Sequence, residues 1–202
     1  MKLIVGIDEV GRGPVAGPVV VCACAVAHGV DILPFFPKNK LRDSKKLSEK
    51  ARLSIIEATL PLATSLQIIS GIGEVSAERI DEIGISVAIK EAIQIALTKI
   101  HAQGVSKDSF IFLDGSLSVD PSYQQETIIK GDEKIPEIAL ASIVAKVYRD
   151  QLMQNVGEAF PQYGFGSHVG YGTKAHYEAI QAHGLTPFHR RTFLKNVPAS
   201  LL

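Results

Sequence analysis

Residues 3–14 read LIVGIDEVGRGP. The apolar run Leu3-Ile4-Val5 leads into two adjacent acids, Asp8 and Glu9, and the segment leaves through Gly11-Arg12-Gly13. Such a run reads as a buried strand. Acids at its end are costly unless a cation or a donor meets them. Neighbouring strand residues point to opposite faces, so Asp8 and Glu9 can serve one site only where the strand ends or twists. The glycines that follow permit that.

Working outward, residues 19–26 form a second, valine-rich strand, and the short Gly/Pro turn before it predicts an antiparallel hairpin. A helix is expected over residues 48–60 with Ser48 as N-cap, then a strand over 66–69. Residues 76–103 carry Ile85, Ile89, Ile93, Leu97 and Ile100 at helical spacing, with Gly84 as a breaking point. Strands follow at Phe110–Asp114 and 126–130, then a helix over Pro136–Ala159 that is apolar on most faces and therefore buried. Gly164, Gly166, Gly170 and Gly172 mark a loop, and residues 173–183 a short helix stopped by Gly184. From Leu185 onward no periodicity is evident. The sum is an α/β fold with a mixed sheet, in one domain over residues 1–202 whose last part, 185–202, is a tail.

A chain of 202 residues with 46% hydrophobic and 21% charged residues is that of a globular protein. The N-terminal apolar run is too short for a signal-peptide core. The stretch 15–27 is broken by Gly17 and Pro18 and falls short of the roughly 18–20 residues of a membrane span. A cytoplasmic protein with no membrane partner is expected. Cys22 and Cys24 would share a strand face at a spacing that suits a disulfide poorly, so both are expected to be reduced and buried. The charges balance at 21 against 21, but seven basic residues and only two acids lie between Lys38 and Arg52. A neutral total can hide a basic face opposite an acidic one.

Three strand-like runs end in acids: LIVGIDE in Asp8 and Glu9, FIFLDG in Asp114, TIIKGD in Asp132. Functional crevices of open α/β sheets lie outside strand ends. Acids gathered there need a cation, and hard oxygen ligands without a Cys or His cluster indicate Mg²⁺ or Mn²⁺. Each acid alone is also a common turn or cap residue. Carboxylates around such ions suit phosphoryl-transfer chemistry, and the basic segment 38–52 could meet a phosphodiester.

The stretches GIDEVGRGPVAGPVVVCACAV, LRDSKKLS, FLDG, IKGD, ALASIVAKVYRD, GYGTKAH and HRRTF follow one another in the order seen in bacterial type 2 ribonuclease H, the ribonuclease HII family, which this chain resembles from about residue 3 to 193. The resemblance implies a ribonuclease H-like fold: a mixed five-stranded sheet flanked by helices, with a helical C-terminal part. It implies an endoribonuclease, a monomer, that cuts the RNA strand of RNA–DNA hybrids. It implies nicking 5′ to single ribonucleotides in duplex DNA, leaving 3′-hydroxyl and 5′-phosphate ends, in DNA replication and repair. The family's catalytic, metal-binding carboxylates carry over to Asp8, Glu9, Asp114 and Asp132. Its ribose-reading turn carries over to Gly11, Arg12 and Gly13, and its sugar-stacking tyrosine to Tyr171. Lys45 and Lys46 would bind phosphates. Ser142 and Lys146, four apart on one helix, would support phosphate or metal-site groups, with an Arg149–Asp150 or Lys146 ion pair that only stabilises the helix as the alternative.

Val169 stands where the family usually has a lysine, and Leu140 where it usually has an alanine. Rival readings are a type 3 ribonuclease H, which has an N-terminal substrate-binding domain, and a catalytically inactive nucleic-acid-binding protein. A dinucleotide-dependent oxidoreductase is disfavoured because no clear helix opens from the Gly-rich turn.

Overall fold

The computed structural model describes residues 3–195; the final part of the expected tail, residues 196–202, lies outside the described residues, as do residues 1 and 2. Five strands form one mixed sheet in the order β3-β2-β1-β4-β5. They are β1 (Leu3–Val10), β2 (Val19–Ala27), β3 (Ile68–Val75), β4 (Phe110–Asp114) and β5 (Gln125–Ile128). β1 and β2 pair antiparallel, as do β2 and β3, whereas β4 runs parallel to β1 and β5 parallel to β4. The helices are α1 (Glu49–Thr64), α2 (Ala77–Ile83), α3 (Ile85–Ala102), α4 (Pro136–Ala159), the single turn α5 (Phe165–His168) and α6 (Lys174–His183). Ser48 caps α1, accepting from the Ala51 N–H at 3.2 Å.

β2 explains why the sheet is sandwiched. Its residues face alternately to the two sides. Val19, Val21, Ala23 and Ala25 join a core with Ile80 of α2 and Ile89, Ile93 and Leu97 of α3. Val20, Cys22, Cys24 and Val26 join a second core with Ile55 of α1 and Ala139, Leu140 and Ile143 of α4. Both cysteines are free and buried, as expected, and burial pushes the Cys24 thiol up to about 12, which keeps it protonated. Leu140, the departure from the family's alanine, is a core residue of this layer.

β3 extends well past the predicted 66–69. Gly71 and Gly73, beyond the predicted end, are strand residues over which α3 lies at backbone distance. A Cβ on Gly73 would stand 1.8 Å from the Ala92 carbonyl oxygen, and one on Gly71 would stand 2.4 Å from that of Ala96. Only glycine lets the helix come so close. β5 also starts and stops earlier than residues 126–130.

Residues 185–195 lack periodicity but are built into the body of the protein. Ala16 and His189 form an antiparallel bridge, and the Arg190 N–H donates to the Val15 carbonyl at 2.8 Å. Asp81 of α2 accepts from the Arg191 and Thr192 N–H groups at 2.7 and 3.0 Å. Individual long-range bonds hold this segment, and they leave no repeating pattern to read. No helix among the described residues is long and apolar enough to cross a membrane.

Candidate active site

The sheet register brings the acids together. Ile7 lies opposite Leu113 across the parallel β1–β4 pair, so Asp8 sits level with Asp114, the last residue of β4, although β1 itself continues past Asp8 and Glu9 to Val10. Asp114 pairs with Ile128, the last residue of β5. Beyond it a short 3₁₀ turn, Gly131–Glu133, carries Asp132, which is thus four residues past its strand rather than at the strand end. Asp8, Glu9, Asp114 and Asp132 all line one cavity of about 320 Å³, with Asp43, Ser44, Lys45 and Ser142 on its other walls.

Burial sets the electrostatics. It raises the Asp8 carboxyl well above the usual carboxylate range; the Ser142 hydroxyl opposes the rise, while Glu9 and Asp114 add to it. Asp8 Oδ1 accepts the Glu9 N–H at 2.7 Å. Glu9 is raised by burial too, and the Arg12 guanidinium, 3.7 Å away, works against this. Burial, then Asp114 and Asp43, push Asp132 up to about 6 against the pull of Lys46. Asp114 Oδ1 accepts the Gly131 N–H at 2.6 Å, which ties β4 to the turn carrying Asp132. The acids hold protons unusually well chiefly because burial strips water from their charged forms, and their mutual repulsion adds to this. As the side chains are placed, no three or more His, Cys, Asp or Glu residues among those described converge closely enough to hold a metal ion together. The arrangement is an open set of acids rather than a closed cage.

The basic residues divide between two places. A second cavity of about 380 Å³ is lined by Val10, Lys45, Arg52, Lys146, Arg149 and Tyr171, so Lys45 and Val10 border both cavities. Lys46 is exposed and forms an ion pair with Glu133. Lys146 donates to Asp150 at 2.6 Å, and Asp150 also meets Arg52 at 3.3 Å, so Lys146 makes an ion pair along its helix while lining the second cavity. Ser142 lies in the acidic cavity and donates to Ser44 at 2.9 Å, so the two residues are split between the cavities. Gly13 and Tyr171 are neighbours: a Cβ on Gly13 would stand 3.9 Å from the tyrosine ring, itself 44% exposed.

Sequence reasoning passed over Asp43 and Ser44, although both fall in the quoted LRDSKKLS. Their neighbouring lysines suggested phosphate binding and drew the attention. The expected Arg149–Asp150 ion pair does not form, because Arg149, 1% exposed, spans backbone carbonyls instead, and no role was assigned to Arg190, 0% exposed. A buried arginine leaves no mark in sequence that separates it from a surface one.

This sheet order, with acids at the ends of parallel strands, defines the ribonuclease H-like fold. The fold of Pyrococcus horikoshii ribonuclease H2 is similar, with a TM-score of 0.73 and 23% identity over 95% of this chain and 93% of that one. So is that of Bst-RNase HIII in complex with Mn²⁺, with a TM-score of 0.65 and 18% identity over 95% and 67%. A ribonuclease HII of Lactobacillus helveticus is 43% identical over 192 residues, covering 95% of this chain and 71% of the relative. The family model for Ribonuclease HII matches residues 5–196. The chain belongs to the ribonuclease HII family, and with it to the ribonuclease H hydrolases, which act on nucleic acid.

Proposed function

We propose that the protein is a divalent-metal-dependent endoribonuclease. It cuts the RNA strand of RNA–DNA hybrids and nicks duplex DNA on the 5′ side of single embedded ribonucleotides, leaving 3′-hydroxyl and 5′-phosphate ends. The observation that carries the reading is the meeting of Asp8 and Glu9 of β1, Asp114 at the end of β4 and Asp132 in the turn beyond β5 on one cavity. Burial and mutual repulsion raise the proton affinity of Asp8, Glu9 and Asp132, a cost that a bound cation would relieve, and an all-oxygen donor set suits Mg²⁺ or Mn²⁺. The Mn²⁺ complex of Bst-RNase HIII supports an ion of the same class here. When bound, such an ion neutralises charge on the phosphodiester and activates water for the in-line displacement.

The protein's own groups prepare that step. The Glu9 N–H holds the Asp8 carboxylate, and the Gly131 N–H holds that of Asp114. Gly11-Arg12-Gly13 follows directly on Val10, which lines the acidic cavity, and its glycines let the backbone approach a ribose and test its 2′-hydroxyl. Tyr171, with an open ring face beside Gly13, stacks on the following deoxyribose and selects an RNA-to-DNA junction. Lys45 and Lys146 receive backbone phosphates in the second cavity, while Lys46, paired with Glu133, sits farther out. The role is the removal of ribonucleotides from DNA by a monomeric cytoplasmic enzyme.

The test is incubation with a DNA duplex carrying one ribonucleotide, in Mg²⁺, Mn²⁺ or chelator. Nicking confined to the 5′ side of the ribonucleotide and abolished by chelator is expected. Cleavage that persists in chelator, or none in either metal, would overturn the reading.

A further inference from the structure

Arg149 and Arg190 are the largest fully buried side chains among the described residues, and neither forms an ion pair with a described acid. Asp150, next to Arg149 in the chain, pairs with Arg52 and Lys146 instead. Among the described residues no carboxylate stands within ion-pair distance of either arginine. Burial pulls Arg149 down to about 10 and Arg190 to about 9, so both stay cationic at neutral pH. A buried charge without a counter-ion persists only where dipoles replace water around it.

Here backbone carbonyls do so. Arg190 donates from Nη2 to Gly11 at 2.6 Å, from Nη1 to Arg12 at 3.2 Å and from Nε to Gly17 at 2.8 Å. Arg149 donates from Nε to Pro18 at 3.0 Å, from Nη2 to Ala16 at 3.1 Å and from Nη1 to Val169 at 2.9 Å. One guanidinium thus holds the Gly-Arg-Gly turn from behind. The other ties the same loop to the residue two before Tyr171. The fit is tight, since a Cβ on Gly11 would stand 2.3 Å from Arg149 Nε.

The carbonyl directions have a further consequence. All peptide bonds among the described residues are trans, and in a trans peptide the N–H points opposite to the C=O of the same unit. Arg190 draws the Gly11 and Arg12 carbonyls inward, so the Arg12 and Gly13 N–H groups point away from it. Both residues are exposed there, and neither N–H has a hydrogen-bond partner among the described residues.

We propose that Arg190 and Arg149 are positioning residues for ribose recognition: a buried two-arginine clamp that fixes the Arg12 and Gly13 N–H groups outward, beside Tyr171, as donors to a sugar hydroxyl. This rests on the reading of the Gly-Arg-Gly turn as the ribose reader. A lysine cannot substitute, because its single ammonium lacks the rigid fork that meets several carbonyls at once.

The test measures binding of full-length protein, in chelator, to a DNA duplex with one ribonucleotide and to the same duplex in all-DNA form. Arg190→Lys should bind the all-DNA duplex as the wild type does. Its preference for the ribonucleotide duplex should fall about fivefold or more, the factor that one misaligned neutral hydrogen bond is worth. A purely structural loss would weaken both duplexes together. An unchanged preference, or an equal loss on both, overturns the clamp. If Arg190→Lys does not fold, amide exchange and chemical shifts of the ¹⁵N-labelled wild type decide. The Arg12 and Gly13 amides should exchange fast in the free protein and shift with the ribonucleotide duplex but not with all-DNA; protected amides overturn the proposal. A wild type without any preference between the duplexes refutes the ribose-reading turn itself, and the clamp with it. A wild type that discriminates beside a variant that discriminates equally refutes the clamp alone.

Discussion

Acid should loosen the segment that carries Arg190, and the size of the effect follows from one histidine pair. His189 is 3% exposed, and its Nδ1 accepts the Thr186 N–H at 2.9 Å. The neutral ring therefore carries its proton on Nε2, which faces His176 Nε2 at 3.1 Å. His176 in turn donates from Nδ1 to the Tyr171 carbonyl at 2.9 Å. The chain of bonds needs both rings neutral. Burial first, then His176, pull His189 from 6.5 down to about 4, and burial lowers His176 as well. Between those pH values the unfolded chain takes up a proton that the folded state refuses, so stability falls as pH drops from about 6.5 towards 4. The gap from 6.5 to about 4, at about 1.4 kcal/mol per unit, is worth about 3 kcal/mol. The raised carboxyls of Asp8, Glu9 and Asp132 act in the opposite sense, because there the folded state holds the proton more tightly. A difference against a variant isolates the histidine. His189→Gln should be less stable than wild type at pH 7.5, and the gap should close by roughly 2–3 kcal/mol at pH 4.5. Urea unfolding followed by circular dichroism at both pH values measures it. A gap that stays constant would show that His189 is not the acid-sensitive group.

Tyr171→Ala should slow cleavage at lone ribonucleotides more than within long RNA–DNA hybrids; equal losses on both substrates would sink the stacking role. Gly11→Ala forces a Cβ to within 2.7 Å of the Pro18 carbonyl oxygen at a φ of +88°. It should cost about 2–4 kcal/mol from the left-handed backbone and the clash together, and an unchanged urea midpoint would contradict this. Val169 is β-branched at a φ of +44°, so Val169→Asn should stabilise by about 1 kcal/mol. A lower thermal midpoint for that variant would show the backbone there to be unstrained.

The hairpin, the buried helix Pro136–Ala159 and the four acids were legible because each leaves a local mark. Alternation, apolar runs and acids at strand ends are patterns of neighbouring residues. β3 was misjudged because Gly71 and Gly73 signal a break locally, and the helix that makes glycine necessary there comes some twenty residues later. Asp132 was credited with a strand-end position it does not hold, since the 3₁₀ turn beneath it leaves no periodicity. Ser142 and Lys146 look equivalent on a helical wheel; only the placement of Ser44 and Asp150 separates them. Arg149 was matched to the wrong partner and Arg190 stayed silent because both meet backbone carbonyls, which every sequence has everywhere.

The central claim is that Asp8, Glu9, Asp114 and Asp132 together bind the ion that cuts. Titration of Mn²⁺ into the nucleic-acid-free protein, with free ion followed by electron paramagnetic resonance, tests it without relying on activity. Wild type should take up Mn²⁺, and Asp8→Asn and Asp114→Asn, folded by circular dichroism, should bind it about tenfold more weakly or worse, the effect of losing one charged ligand. Equal Mn²⁺ affinity in all three proteins would contradict the account.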